Sequence, residues 1–391
     1  MSISPVAAAL VLCALALPVS IAASNIALTL LAAALLVRAR SDGRRIMAAW
    51  RAEPVLAALA VYAAAGALCA ALSASPAASL KDAAKDLHRL WAAGLFVAAL
   101  ELEPESPLRP ALGFGFGAMA VYGIAQTLFS GRPDGMILRA HGFVHPVVYG
   151  EQMALATLGG ACVLLRPTPK APRAAAGVFT AMAITALVMS QTRMALLATF
   201  AGFAVVALLE PRARRWALPA LGLIAAVGTA WQFLPTGGRT LGSVFGPHDP
   251  TNPQHARWFL WDAALRIFHD HPLTGVGPGG FHRVFSAYHP GPLDGETDWG
   301  SAHNLYLHQL AERGLVGAAA LLALCATLLF RAVRAARADA DTRALWAAGA
   351  VAAFLAMSLT ETAFQNEQFS ALLLLVWAWG TTSLRVVPEI L

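Results

Sequence analysis

The sequence predicts an all-α polytopic membrane protein of about 12 transmembrane helices, with both termini cytoplasmic and one long loop on the opposite side. Three observations carry this prediction. Of 391 residues, 58% are hydrophobic and only 13% are charged, about half the ~25% of an ordinary soluble domain. Apolar runs approaching the roughly 20 residues that span a bilayer recur along most of the chain. Lys and Arg cluster at alternate ends of those runs, as the positive-inside rule requires. The net charge of +6 therefore reports topology, and no nucleic-acid partner is expected.

In chain order the apolar segments lie near 4–21, 23–37, 54–73, 90–101, 110–129, 147–165, 174–190, 194–209, 216–234, 314–330, 344–360 and 368–384. The first starts almost at the N-terminus, has no basic region before it and runs into the second, so it reads as a span and not as a cleavable signal. Several segments are rich in Ala and Gly, which suits close helix packing in lipid. One set of alternate loops holds 17 of the 28 basic residues, in clusters such as Arg38 to Arg51, Arg212 to Arg215 and Arg331 to Arg343. That side is cytoplasmic. The other 11 basic residues are dispersed on the outer side, and all 11 histidines fall there too. The four cysteines sit inside apolar runs without ligand spacing, so neither a disulfide framework nor a cysteine metal site is expected.

The chain thus divides into helices 1–9 over 1–234, one outer loop over 235–302, and a histidine-bearing helix with the last three spans over 303–391. A loop this long is usually functional or disordered. This one is not disordered by composition. Gln254–His271, "QHARWFLWDAALRIFHDH", has helical apolar spacing and large aromatics, which predicts an amphipathic helix on the membrane face or over a cavity. The Gly-rich run Gly275–Gly280 follows as a turn; with no strand before it and no GK[ST] after it, it is not a phosphate loop. Asp339 and Asp341 lie among arginines and read as a solvated charge run. His269 and His271 lack further ligands, so no metal is expected.

Arg193 stands at the outer junction of two short apolar segments. It is either a snorkelling interfacial arginine or a cation lining a hydrated cavity that receives an anion. Arg257 and Arg266 are nine residues apart, about 900° at 100° per residue, so they face opposite ways on one helix. Asp262 precedes Arg266 at ion-pair spacing; Arg257 has no such neighbour and is the favoured functional cation. His303 is followed at helical offsets by Leu307, Leu310, Gly314 and Gly317, which places an imidazole above close-packing glycines on one face, with Ser301 as a cap. A satisfied interfacial histidine would also have to account for Asn304, Glu312 and Arg313 beside it.

These residues resemble a known family. "HNLYLHQLAERGLVG" (His303 to Gly317) is similar to the signature of the O-antigen ligase and polymerase superfamily. "RMALL" from Arg193, "RWFLWDAALRIFHDHPLTGVGPGGF" from Arg257 to Phe281, and "RAHGFVHP" from Arg139 to Pro146 resemble its other motifs. The resemblance implies a bacterial inner-membrane glycosyltransferase that is multi-pass, independent of metal and cofactor, and active at the periplasmic face. The long loop is then periplasmic and its amphipathic helix caps the active-site cavity. The implied donor is a glycan on undecaprenyl diphosphate. The chain most resembles the ligases, whose acceptor is lipid A–core; the polymerases, which extend the glycan, are the alternative.

This chemistry asks for cations on a departing diphosphate and a base with a pKa near ambient pH. His303 is the expected catalytic base, with direct displacement and inversion at the anomeric carbon. Arg193, Arg257, Arg139 and Arg266 are the candidate diphosphate cations, with Asn304 and Gly314 in support. A lipid-linked glycan transporter would need paired broken helices in two related halves, and no internal repeat is visible. A non-catalytic assembly protein using the loop as a docking face is the other alternative.

Overall fold

A computed structural model describes residues 3–130, 138–166, 173–216, 219, 222, 226, 255–293, 295–296, 298–338 and 341–384. The described chain is predominantly helical, with one isolated antiparallel bridge between Leu293 and Glu296. It forms α1 (Pro5–Ala16), α2 (Ile21–Ala52), α3 (Pro54–Ala71), α4 (Pro76–Ala83), α5 (Lys85–Leu102), α6 (Leu108–Phe129), α7 (Pro146–Leu165), α8 (Arg173–Met189), α9 (Arg193–Leu209) and the single turn α10 (Pro211–Arg214). These are followed by α11 (Ala256–Asp270), α12 (Gly280–Tyr288), α13 (Leu305–Ala338), α14 (Thr342–Met357) and α15 (Glu367–Gly380). Five of them, α2, α3, α6, α7 and α13, are long and apolar enough to cross a membrane; α1, α8, α9 and α14 are shorter apolar helices. Of the apolar segment expected over 216–234, only residues 216, 219, 222 and 226 are among the described residues.

Local chemistry starts most of these helices. Ser4, Glu53, His145 and Glu210 each accept a backbone N–H with a proline at the first helical position behind them. Such a proline lacks an N–H where none is needed. Ser20, Asp341 and Asn366 cap α2, α14 and α15. Asp341 also pairs with Arg343 at 2.6 Å, so the acid expected as part of a solvated run is a helix cap; Asp339 lies outside the described residues. Between helices, small residues permit close crossings, as the close-packing argument expects. A Cβ on Gly202 of α9 would lie 2.5 Å from the Gly349 carbonyl of α14. The Trp346 indole of α14 seats over Gly159 of α7 and donates to the Leu155 carbonyl at 2.8 Å.

The expected amphipathic helix is α11. Its Ala256, Leu260, Ala263, Ala264 and Ile267 form a small second core with Phe281 and Phe285 of α12. Trp258 and Leu265 remain exposed on its other side.

One feature of α13 departs from the sequence expectation. The helix breaks at Gly314, which has φ +56° and ψ −155°, a conformation close to glycine-only territory. The turn-forming segment after α11 threads the break. Leu315 and Val316 donate to the Pro272 and Leu273 carbonyls at 2.8 and 3.1 Å, and Val276 and Gly277 donate to the Ala311 and Glu312 carbonyls at 3.0 and 2.8 Å. Every backbone group freed by the break that these bonds engage is thereby satisfied, which is the condition for a break at membrane depth. A Cβ on Gly314 would lie 2.3 Å from the Leu273 carbonyl carbon, and one on Gly275 would lie 2.3 Å from the carbonyl carbon of Glu312. Gly314→Ala is expected to cost about 3 kcal/mol or more from backbone strain plus clash. A thermal melt of the detergent-solubilised protein checks it, and an unchanged Tm would rule out the threaded break.

Candidate active site

Five stretches of chain converge at one end of the helices: the segment before α7, the α8–α9 junction, the start of α11, the residues before α13 and the turn after α14. At the first of these, Arg139 Nε donates to the Ser190 carbonyl at 2.8 Å and its Nη2 to Thr192 Oγ1 at 3.1 Å. Thr192 Oγ1 in turn donates to the Pro146 carbonyl at 3.1 Å. Arg139 therefore clasps the α8–α9 junction, and Arg193 follows at once as the first residue of α9. The sequence offered Arg139 as a candidate diphosphate cation; the structure commits two of its nitrogens to this clasp.

His303 does not lie on the helix that its spacing suggested. Its φ is +46°, a left-handed conformation in which His is enriched among non-glycine residues, and α13 begins two residues later at Leu305. The shared face with Gly314 and Gly317 is lost twice, first because His303 precedes the helix and again at the Gly314 break. Nor is Ser301 the cap. Asn304 Oδ1 accepts from the Tyr306 and Leu307 N–H groups at 3.0 and 3.1 Å, while Ser301 Oγ accepts from the His303 N–H at 3.4 Å. Asn304 ends the left-handed step and starts α13, and so fixes the departure of the His303 side chain.

The group that unites the site is one the sequence reading passed over. Glu361, 7% exposed in the turn after α14, accepts from Arg257 Nη2 through Oε1 at 2.5 Å. Its Oε2 lies 3.1 Å from His303 Nδ1. Arg257 was expected to lack a partner because none stands three or four residues away on its own helix; its partner arrives from 104 positions further along the chain. Arg257 Nε is buried and has no hydrogen-bond partner among the described residues, so the guanidinium keeps an unused donor. The only hint of Glu361 in the sequence was an acid between two apolar runs, "LTETAF".

With Nδ1–H donating to Glu361, the free lone pair of His303 is on Nε2. The ring is packed edge-on to Trp299, with centroids 5.8 Å apart, and its side chain is 35% exposed, so the imidazole is both oriented and partly open. Arg139, His141, Glu361 and His303 all act electrostatically on His145. Burial first, then the nearby Arg139, holds the His145 imidazole below the usual histidine value against the pull of Glu361. His145 is thus an uncharged neighbour at neutral pH and adds no cation to the site.

Arg266 is not brought here. The unbroken α11 points it away from Arg257, it pairs with Asp262 as the spacing foretold, and it lines a shallow surface depression with His269, Asp270 and Tyr288. Hydrogen bonds from the Tyr288 hydroxyl and then from His269 hold the exposed Asp270 carboxyl beside it below its ordinary value. No group of three or more His, Cys, Asp or Glu side chains among the described residues could hold a metal ion.

A cavity of about 670 Å³ lined by Arg109, Phe116, Gly159, Phe179, Arg343 and Trp346 lies at the other end of the same helices. Arg109 and Arg343 begin α6 and α14, whereas His145 precedes α7 and Glu361 follows α14. The His145 and Glu361 side chains are therefore separated from it by the length of the bundle, about 30 Å for a 20-residue helix such as α7.

A family model described as O-antigen ligase matches residues 178–322. That span takes in Arg193, Arg257 and His303 and stops short of Arg139 and Glu361. No curated protein matches the chain.

Proposed function

We propose that this chain, whose residues 178–322 match a family model described as O-antigen ligase, is an inner-membrane glycosyltransferase moving a glycan from undecaprenyl diphosphate to lipid A–core at the periplasmic face. The observation that carries the reading is the Arg257–Glu361–His303 chain, an anion-binding guanidinium and an imidazole held by the two oxygens of one carboxylate. A guanidinium and an imidazole stand side by side there, the kinds of group that transfer from a glycosyl diphosphate needs.

In the proposed step the acceptor hydroxyl oxygen forms a bond to the anomeric carbon as the bond from that carbon to the diphosphate oxygen breaks. The hydroxyl proton passes to His303 Nε2, and the resulting imidazolium is stabilised through Nδ1 by Glu361. The bonding electron pair leaves with the diphosphate, where Arg257, whose Nε–H has no partner among the described residues, and Arg193 meet the developing charge. Single displacement inverts the anomeric centre. Arg139 acts by holding the α8–α9 junction from which Arg193 projects. Because Arg266 is turned away and paired, it is left out of the diphosphate site.

Reconstitution tests this. Proteoliposomes holding the full chain are given purified glycan on undecaprenyl diphosphate together with lipid A–core. The expected product is full-length glycan on the core, with undecaprenyl diphosphate released. Lengthening of the glycan on its lipid carrier would instead identify a polymerase, and no transfer to either acceptor would sink the reading.

A further inference from the structure

A group of buried charges on α5 and α13 lies outside the reacting site and takes no part in the proposed step. Asp86, Arg89, Glu312 and Arg313 are each no more than 4% exposed. Arg313 Nη1 sits 2.7 Å from Asp86 Oδ2, and its guanidinium lies over the Tyr62 ring at 4.7 Å. Arg89 Nη1 donates to Asp86 Oδ1 at 2.9 Å. Glu312 accepts from the Phe281 N–H at 3.2 Å and lies 3.4 Å from His308 Nε2. Two arginines and two acids balance, which is how buried charge survives in an apolar bundle.

Charge balance does not explain the rest of what Arg89 does. Its Nε donates to the Phe364 carbonyl at 2.7 Å, and its guanidinium lies 5.0 Å from the centre of the Phe364 ring. Phe364 sits in the 3-10 turn Ala363–Gln365, three residues after Glu361. On the near side of Glu361, the Ser358 carbonyl accepts from the Leu305 N–H at 2.9 Å, and Leu305 is two residues after His303. The short segment that carries Glu361 is therefore tied at one end to the start of α13 and at the other to α5 by the Arg89 side chain, while the Phe364 ring also packs edge-on to Tyr62 of α3.

We propose that Arg89 is a positioning residue for Glu361: by clamping Phe364 it sets the reach of that acid toward Arg257 and His303. The inference rests on the reading of these three residues as the reacting site. A lysine at position 89 could neutralise Asp86. It has no planar fork with which to bond Asp86 and the Phe364 carbonyl together, so the turn would be released while the charge stayed. Displacing a catalytic contact by about 1 Å costs up to ~10²-fold, which bounds the effect.

The test is a double-mutant cycle on the full chain in proteoliposomes, reading kcat and donor KM for glycan transfer from the polyprenyl-diphosphate donor, with Tm measured alongside. Arg89→Lys is expected to lower kcat about 10-fold in the wild-type background. In the Glu361→Ala background it is expected to lower kcat less than about 2-fold, because its route of action is already gone. An equal loss in both backgrounds, or none in either, overturns the positioning role. If Arg89→Lys does not fold, Phe364→Leu keeps the carbonyl and removes the ring beneath the guanidinium. A loss of about 3-fold that depends on Glu361 supports the proposal, and a loss indifferent to Glu361 overturns it. The two levels separate cleanly. Wild-type kcat in Glu361→Ala alone would remove the site reading and this proposal with it, whereas a loss there with an additive Arg89→Lys effect removes only the positioning role.

Discussion

His303→Asn is expected to lower the turnover of glycan transfer by about 10²–10⁴-fold, the usual contribution of a general base, or about 3–5 kcal/mol of transition-state stabilisation. Asparagine is the informative replacement. Position 303 has φ +46°, and Asn tolerates the left-handed region better than most residues, so the backbone and the Asn304 cap are left undisturbed. What is removed is the imidazole, the proposed acceptor of the substrate hydroxyl's proton. Donor KM is expected to change less than about 3-fold, because the imidazole acts on the acceptor hydroxyl and not on the diphosphate. Steady-state transfer in proteoliposomes, with a melt to confirm folding, checks this. A variant retaining more than about a tenth of wild-type turnover would remove His303 from the role of base.

The second large effect is expected at Arg257. Arg257→Lys should lower turnover about 10²-fold, the scale for losing one preorganised donor to a developing oxyanion. Lysine keeps the positive charge beside Glu361, which Arg257→Ala would remove, leaving that carboxylate with His303 alone among the described residues. It loses the second donor, the Nε–H that lacks a partner among the described residues. A kcat effect with little change in Tm is the expected signature, and wild-type kinetics in the lysine variant would mean that charge alone suffices there. Arg266→Lys, by contrast, should leave transfer unchanged, since that side chain pairs with Asp262 on the far face of α11.

Much of the fold was legible in the sequence because its determinants are local. Apolar runs and their Ser-, Glu-, His- or Asn-capped starts set helix positions within a few residues: the segment expected over 54–73 is α3 at Pro54–Ala71, and that over 147–165 is α7 at Pro146–Leu165. The opposed faces of Arg257 and Arg266 followed from 100° per residue alone, and α11 is an unbroken helix on which that count holds. The same reasoning failed at His303 and Gly314. A period of 3.6 assumes a continuous helix, and Gly314 stops it with a backbone conformation that only the threaded 272–277 segment makes affordable.

By itself, the sequence determined the fold class, most of the helices, and the residue types from which the site is built, since hydropathy, capping and helical phase are properties of neighbours along the chain. Only the tertiary structure decided which of those residues meet. Glu361 joins partners 104 and 58 positions away, Arg89 reaches Phe364 across 275, and Arg139 is committed to a junction 51 residues on. No spacing encodes such pairings. They arise because burying apolar faces brings helix ends together, and the buried polar groups left there must then find one another or stay unsatisfied.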